Sequence, residues 1–173
     1  MSASAPGPGR ARGVGLVEVL VATLVLSFGF LMIARMQVDA MASQRVAYHE
    51  SQALMLAGEM MDRMRNNLAG VAAGAYSDKS TSGSLVEPAC VGTGFCSPAE
   101  IARADLFEWS ARLQSMRSTP GYVPLLPPAS DGSPAVGSIG APTAAGVYPV
   151  GLAWKEIEGG EEVTREVVVR FAP

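Results

Sequence analysis

From Val14 to Ala34 the chain reads VGLVEVLVATLVLSFGFLMIA, apolar except for one acid, Glu18, and closed by Arg35. A helix needs roughly 20 apolar residues to cross a bilayer's hydrocarbon core, and this run is long enough. An ionisable group inside such a span is costly, which makes Glu18 a functional candidate. Arg10 and Arg12 stand before the run with no acid beside them. That bias holds the N-terminus on the cytoplasmic side and sends the remainder across. A secretory signal peptide has a shorter apolar core, of roughly 7–15 residues, and then a small-residue cleavage site. This run instead flows into more helix-patterned sequence.

After Arg35, Met36, Ala40, Ser43, Ala47, Leu54, Ala57, Met61, Met64 and Leu68 recur at spacings of mostly three and four. That period predicts one face of an amphipathic helix. Asn66, Asn67 and Gly70 are stop signals. One helix is therefore expected from about Val14 to Leu68, roughly 80 Å long. Its first half would lie in lipid and its second half would pack on a globular domain. Gly29 is the one residue in the first half that could loosen it. Seven of the nine methionines fall between Met32 and Met64, which suits adaptable packing of core and subunit contacts. His49 reads as a solvated or packed side chain, not a ligand.

Residues 69–96 lose all periodicity and read as a loop. In a domain exported to an oxidising compartment, Cys90 and Cys96 form a short disulfide, with free thiols as the alternative. Ser97, Pro98 and Glu100 make a helix start: a cap, a proline at the first helical position and a capping-box glutamate. The helix is expected over about 98–116, with Ile101, Ala104, Leu106, Trp109 and Leu113 as its apolar face. Arg103, Asp105, Glu108 and Arg112 form its polar remainder. The 117–146 segment holds many prolines and reads as a long surface loop, with a short edge strand possible at Tyr122–Leu126. Tyr148, Val150, Leu152 and Trp154 alternate in one arm, and Val163, Val167, Val169 and Phe171 in another. A turn around Glu158-Gly159-Gly160-Glu161 joins them as a hairpin.

The basic leader, Gly13 and the stretch Val14-Gly15-Leu16-Val17-Glu18-Val19-Leu20-Val21-Ala22 resemble the class III signal of type IV prepilins and pseudopilins. The resemblance implies that prepilin peptidase cuts between Gly13 and Val14 and that the new amine of Val14 is methylated. It also implies that Glu18 pairs with the N-terminal amine of a neighbouring subunit during assembly. The physics agrees, because a carboxylate withdrawn from water needs a cationic partner. The chain has Val14 where the family usually has an aromatic residue. The pattern C-x5-C-S-P-x-E-x4-D-x3-W, carried by Cys90, Cys96, Ser97, Pro98, Glu100, Asp105 and Trp109, resembles type IV pilus modification proteins of the PilV kind.

The expected fold is α+β and pilin-like. A long N-terminal helix, half of it transmembrane, packs on a small antiparallel sheet with a short second helix. The expected parts are a cleaved leader over 1–13, an assembly and membrane segment over 14–35, and a periplasmic domain over 36–173. Net charge is −3, and removing the leader's arginines makes the rest more acidic still. Without a basic cluster, nucleic acid is not an expected partner. No phosphate loop, nucleophile elbow or zinc-protease helix occurs, and one histidine cannot support a Ser/His/Asp site. Two cysteines and a distant His49 do not make a structural metal site. No catalysis, metal or cofactor is expected. The favoured reading is a minor pilin that waits in the inner membrane and then joins a filament. Its partners would be other minor and major pilins, prepilin peptidase and the inner-membrane assembly machinery. The alternatives are a minor pseudopilin of a type II secretion system, and a periplasmic binding domain on a plain single-pass anchor.

Overall fold

The computed structural model describes residues 15–83, 85–92, 94–114 and 124–173. The expected leader, the Gly13–Val14 bond and Tyr122 lie outside them. The chain divides into two compact units, Met1–Arg45 and Val46–Pro173.

Helix α1 spans Leu16–Asn66. In the first unit it is apolar and exposed on all sides from Leu16 to Ile33. In the second unit its buried residues are Ala53, Leu56, Ala57, Met60 and Met64. Those positions repeat at helical spacing, as expected, but the buried stripe is rotated from the predicted one. Leu54 and Leu68 stay 49% and 52% exposed, and Met61 is only partly covered. The predicted row stepped by sevens through 54, 61 and 68. Which side of the helix is covered depends on the elements packed against it, and Leu68 lies beyond the end of α1. The small residues Ala53 and Ala57, which carry little hydrophobic signal, are the ones pressed against the core.

The helix ends at Asn66, and Asn67 caps a short helix α2 (Leu68–Ala72) through its side chain. Strand β1 (Lys79–Ser80) follows, then helix α3 (Pro98–Leu113), β2 (Val136–Ile139), β3 (Tyr148–Glu158) and β4 (Glu161–Phe171). The four strands form one antiparallel sheet in the order β1-β2-β3-β4. The predicted hairpin is present, with Glu158 opposite Glu161 and an unbroken register to Tyr148 opposite Phe171. Gly159 and Gly160 both adopt positive φ, 62° and 92°. A two-residue turn matching the strand twist demands this of both central positions, and glycine meets the demand without strain.

Three elements were not expected. α2, apart from its first residue, and β1 lie in the 69–96 stretch and β2 in the 117–146 stretch, both read as loops, while the suggested edge strand is absent from 124–126. β2 is Val-Gly-Ser-Ile, too short and too poor in β-formers to announce itself. It is a strand because β3 offers it an edge to pair with. Thr81 extends the pairing between β1 and β2: its N–H donates to Gly137 O at 2.9 Å, and its hydroxyl accepts from Gly137 N at 2.8 Å.

One core joins these elements. Leu56, Met60 and Met64 from α1, Leu106, Trp109 and Leu113 from α3, and Val150, Leu152, Trp154 and Phe171 from the hairpin are all buried in it. A hairpin by itself is marginal in water, so its inward face depends on the helices.

Candidate functional site

The apolar part of α1 is the first candidate. It is long and apolar enough to cross a membrane, and none of it is buried against protein. Its two hydroxyl side chains are satisfied inside the helix. Thr23 Oγ1 donates to Leu20 O at 2.9 Å and Ser27 Oγ to Thr23 O at 2.7 Å. Such back-bonding removes most of the cost of placing a hydroxyl in hydrocarbon. Glu18 differs. It sits in the first turn of α1, where the helix dipole favours an anion. Among the described residues it takes part in no ion pair. Gly13 and Val14, the predicted cleavage and methylation residues, lie outside the described residues.

The second candidate is the Cys–Ser–Pro–Trp region. Cys90 and Cys96 are disulfide-bonded with Cα atoms 5.3 Å apart. The bridge places Cys96 immediately before the cap of α3. Ser97 N donates to Glu100 Oε2 at 2.8 Å, and Glu100 N donates to Ser97 Oγ at 3.3 Å, completing a capping box. Pro98 opens the helix, and its carbonyl accepts from Asn67 Nδ2 at 2.8 Å. Trp109 is fully buried, and its Nε1 donates to the Leu56 carbonyl of α1 at 3.0 Å. Its ring lies flush on β2: a Cβ built on Gly137 would come within 2.4 Å of it. Only glycine permits that approach.

Asp105 is the residue whose role sequence reasoning misplaced. It was assigned to the polar side of α3, but it is buried. It accepts from Tyr76 OH at 2.5 Å and from Arg63 at 3.3 Å. Tyr76 OH in turn accepts from Asn67 Nδ2 at 3.0 Å. Arg63 also reaches Glu59 at 2.9 Å and Glu108 at 2.7 Å. Burial, reinforced by the hydrogen bond to Asp105, pushes the Tyr76 phenol well above its usual value. Burial would lower Arg63, but its three carboxylate partners outweigh this and hold it protonated. Ile101, expected on the apolar face of α3, is instead exposed, because Ala102 and Asp105 occupy that side. Every residue of the C-x5-C-S-P-x-E-x4-D-x3-W pattern therefore builds or docks α3.

The model of a family described as "Type IV pilin Tt1218" (Tt1218-like) matches residues 35–107. Over these residues the chain is type IV pilin-like. The match spans the second half of α1, the disulfide loop and the start of α3, so it is independent of the N-terminal signal motif. No curated protein and no solved structure matches the chain. A pilin is a structural subunit, and its apolar N-terminal helix suits a membrane-anchored protein.

In the pilin-like domain the Asp105 network gives a direct stability test. Asp105→Ala leaves Arg63 with Glu59 and Glu108, so the main loss is the acceptor for the buried Tyr76 hydroxyl. The expected cost is about 2 kcal/mol, measured by chemical unfolding of the detergent-solubilised chain. Tyr76→Phe in the same background should then add little. Stability tied to neutral Tyr76 is complete below the ordinary phenol range and is lost as pH rises beyond it.

Acid acts on other groups. Glu162 is held down to about 2 by Lys155 Nζ at 2.8 Å and Ser130 N–H at 2.7 Å. Ser97 hydrogen bonds also lower Glu100. For such groups the stabilisation is present above the ordinary carboxylate value and disappears as pH falls through the depressed one. Glu162→Gln should flatten the pH dependence of unfolding between pH 4.5 and about 2. An unchanged slope there would remove Glu162 from the account.

His49 proves to be a packed histidine. Its Nδ1 lies 2.6 Å from Glu156 Oε1, with the two side chains only 15% and 9% exposed. Trp154 Nε1 also donates to Glu156 Oε1 at 2.8 Å. Burial tends to raise the Glu156 carboxyl, yet these hydrogen bonds hold it below its ordinary value. No sequence signal links His49 to Glu156, because the pairing is made by the fold across more than a hundred residues.

Proposed function

We propose that this chain is a minor pilin of a type IV pilus. It is inserted in the inner membrane with its C-terminal domain in the periplasm and is cut by prepilin peptidase between Gly13 and Val14. It is then methylated at Val14 and drawn into a filament through residues 14–35. Its partners are other minor and major pilins and the inner-membrane assembly machinery. Glu18 pairs with the cationic N-terminal amine of a neighbouring subunit. The observation that carries this reading is the isolation of Glu18. Among the described residues, the hydroxyls of the apolar segment are satisfied within the helix, whereas Glu18 takes part in no ion pair. A charge in hydrocarbon needs a partner, and a chain end freed at residue 14 would supply one. Contact between unlike patches of identical helices, repeated without closure, generates a filament.

Mass spectrometry of the mature N-terminus tests the processing step. A methylated Val14 start is expected. An intact Met1 or Ser2 start would sink the assembly reading and leave a domain on a plain anchor.

The same N-terminal signal would serve a minor pseudopilin of a type II secretion system. The resemblance of Cys90, Cys96, Ser97, Pro98, Glu100, Asp105 and Trp109 to pilus modification proteins favours the pilus. Deletion of the gene should abolish or thin the pili. Normal pili with failed protein export would select the secretion system instead.

A further inference from the structure

We propose that the free edge of β4 pairs with β4 of a second copy of this chain, antiparallel about a two-fold axis at Val168. The inference rests on the hairpin and not on the pilin reading. β4 is the last strand of the sheet, whereas the opposite edge, β1, is only two residues long. Short length protects an edge, and so do prolines and bulges. β4 has none of these: it runs for 11 residues without proline, and its register with β3 is unbroken. Its polar backbone is therefore an open template.

The hairpin tells which groups are free. Residues flanking a two-residue turn exchange hydrogen bonds, so Glu161 faces β3, and hydrogen-bonded pairs alternate from there. Residues 163, 165, 167, 169 and 171 share that direction. Residues 162, 164, 166, 168 and 170 aim their N–H and C=O outward. Among the described residues, no backbone group outside the sheet bonds to them.

The side chains select the occupant. The strand reads Arg165-Glu166-Val167-Val168-Val169-Arg170. Reversed about Val168, this sequence places Glu166 opposite Arg170 of the second copy, twice, on the outer face. On the inner face it places Val167 opposite Val169. Glu166 and Arg170 are exposed, and neither has an ion-pair partner among the described residues. Other registers are worse. Centring on Glu166 or on Arg165 sets like charges directly opposite, which destabilises a sheet pair. Centring on Val167 leaves Glu166 against valine and Arg170 against threonine. Val167 and Val169 are only partly covered by their own core, and the second strand would extend that apolar row. A two-fold axis makes each contact twice, as in an isologous dimer.

The test uses the full chain purified in detergent, so that no other protein can occupy the edge. Cys90 and Cys96 are bonded to each other, so an added cysteine supplies the one reactive thiol. Val168 is 52% exposed and Thr164 is exposed, and neither substitution disturbs the core. Under copper-catalysed air oxidation, Val168→Cys should form a covalent dimer. Thr164→Cys should not, because its two copies would stand eight residues apart, about 27 Å. In the Val168→Cys background, Glu166→Arg alone and Arg170→Glu alone should each lower the dimer yield roughly fivefold, and the two together should restore it. A far-UV circular dichroism spectrum and an unfolding midpoint matching the parent's confirm that each variant is folded. Cross-linking at Thr164 as strong as at Val168, a monomeric Val168→Cys chain, or failure of the charge swap to restore the dimer would each overturn the proposal.

Discussion

Replacing Trp109 by alanine should cost about 3–5 kcal/mol of folding stability, a large fraction of what holds a domain of this size together. Three losses combine. The indole is fully buried, so its removal forfeits the transfer energy of one of the two tryptophans in the core and leaves a cavity. The Leu56 carbonyl loses the 3.0 Å bond from Nε1. β2 also loses the surface on which Gly137 rests. Leu56 belongs to α1, Gly137 to β2 and Trp109 to α3, so one side chain holds three elements together. The reciprocal change, Gly137→Ala, should cost about 1–3 kcal/mol by overpacking the same contact. Because the two residues touch, their effects should not add: an alanine at 137 should be nearly harmless once Trp109 is gone. Equilibrium unfolding of the three variants checks this. Strict additivity would show that the ring and the glycine do not share one contact.

Glu18→Ala should abolish incorporation into filaments, at least tenfold below the parent, while leaving the Val46–Pro173 unit folded. The two halves of that expectation have different origins. Glu18 lies in the Met1–Arg45 unit and is not a member of the core of the Val46–Pro173 unit. Its removal also relieves an insertion penalty, so the variant enters the membrane at least as readily. What disappears is the anion that fixes one subunit against the amine of the next. Glu18→Gln keeps the shape without the charge and should fail as alanine does, whereas Glu18→Asp should retain partial function. The readout is the fraction of chain in sheared filaments against the fraction in the inner membrane. Normal incorporation of the alanine variant would remove the pairing role.

Much of this architecture could be read directly. The apolar run and its acid, the capping box Ser97–Glu100, the proximity of the cysteines and the Gly159-Gly160 turn are all signals carried by adjacent residues, and each stands where it was expected. The elements that went unread have a common cause. β2 is a strand because β3 and Trp109 accept it, and Asp105 is buried because Tyr76 and Arg63 meet it from elsewhere in the chain. The stripe of α1 is set by which side the sheet approaches, so Ala53 and Ala57 are buried and Leu54 is not.

The sequence alone determined local order: which segments coil, where one helix starts, where the chain reverses, and which stretch is fit for lipid. Such properties depend on steric preference and on hydrogen bonds between near neighbours, and these act within a few residues. Tertiary structure alone decided which polar groups are buried in pairs, as with His49 and Glu156, and which glycine must remain bare, as at Gly137. Those outcomes arise between groups distant in the chain, where the gain from burial and pairing exceeds local preference only after the elements have met.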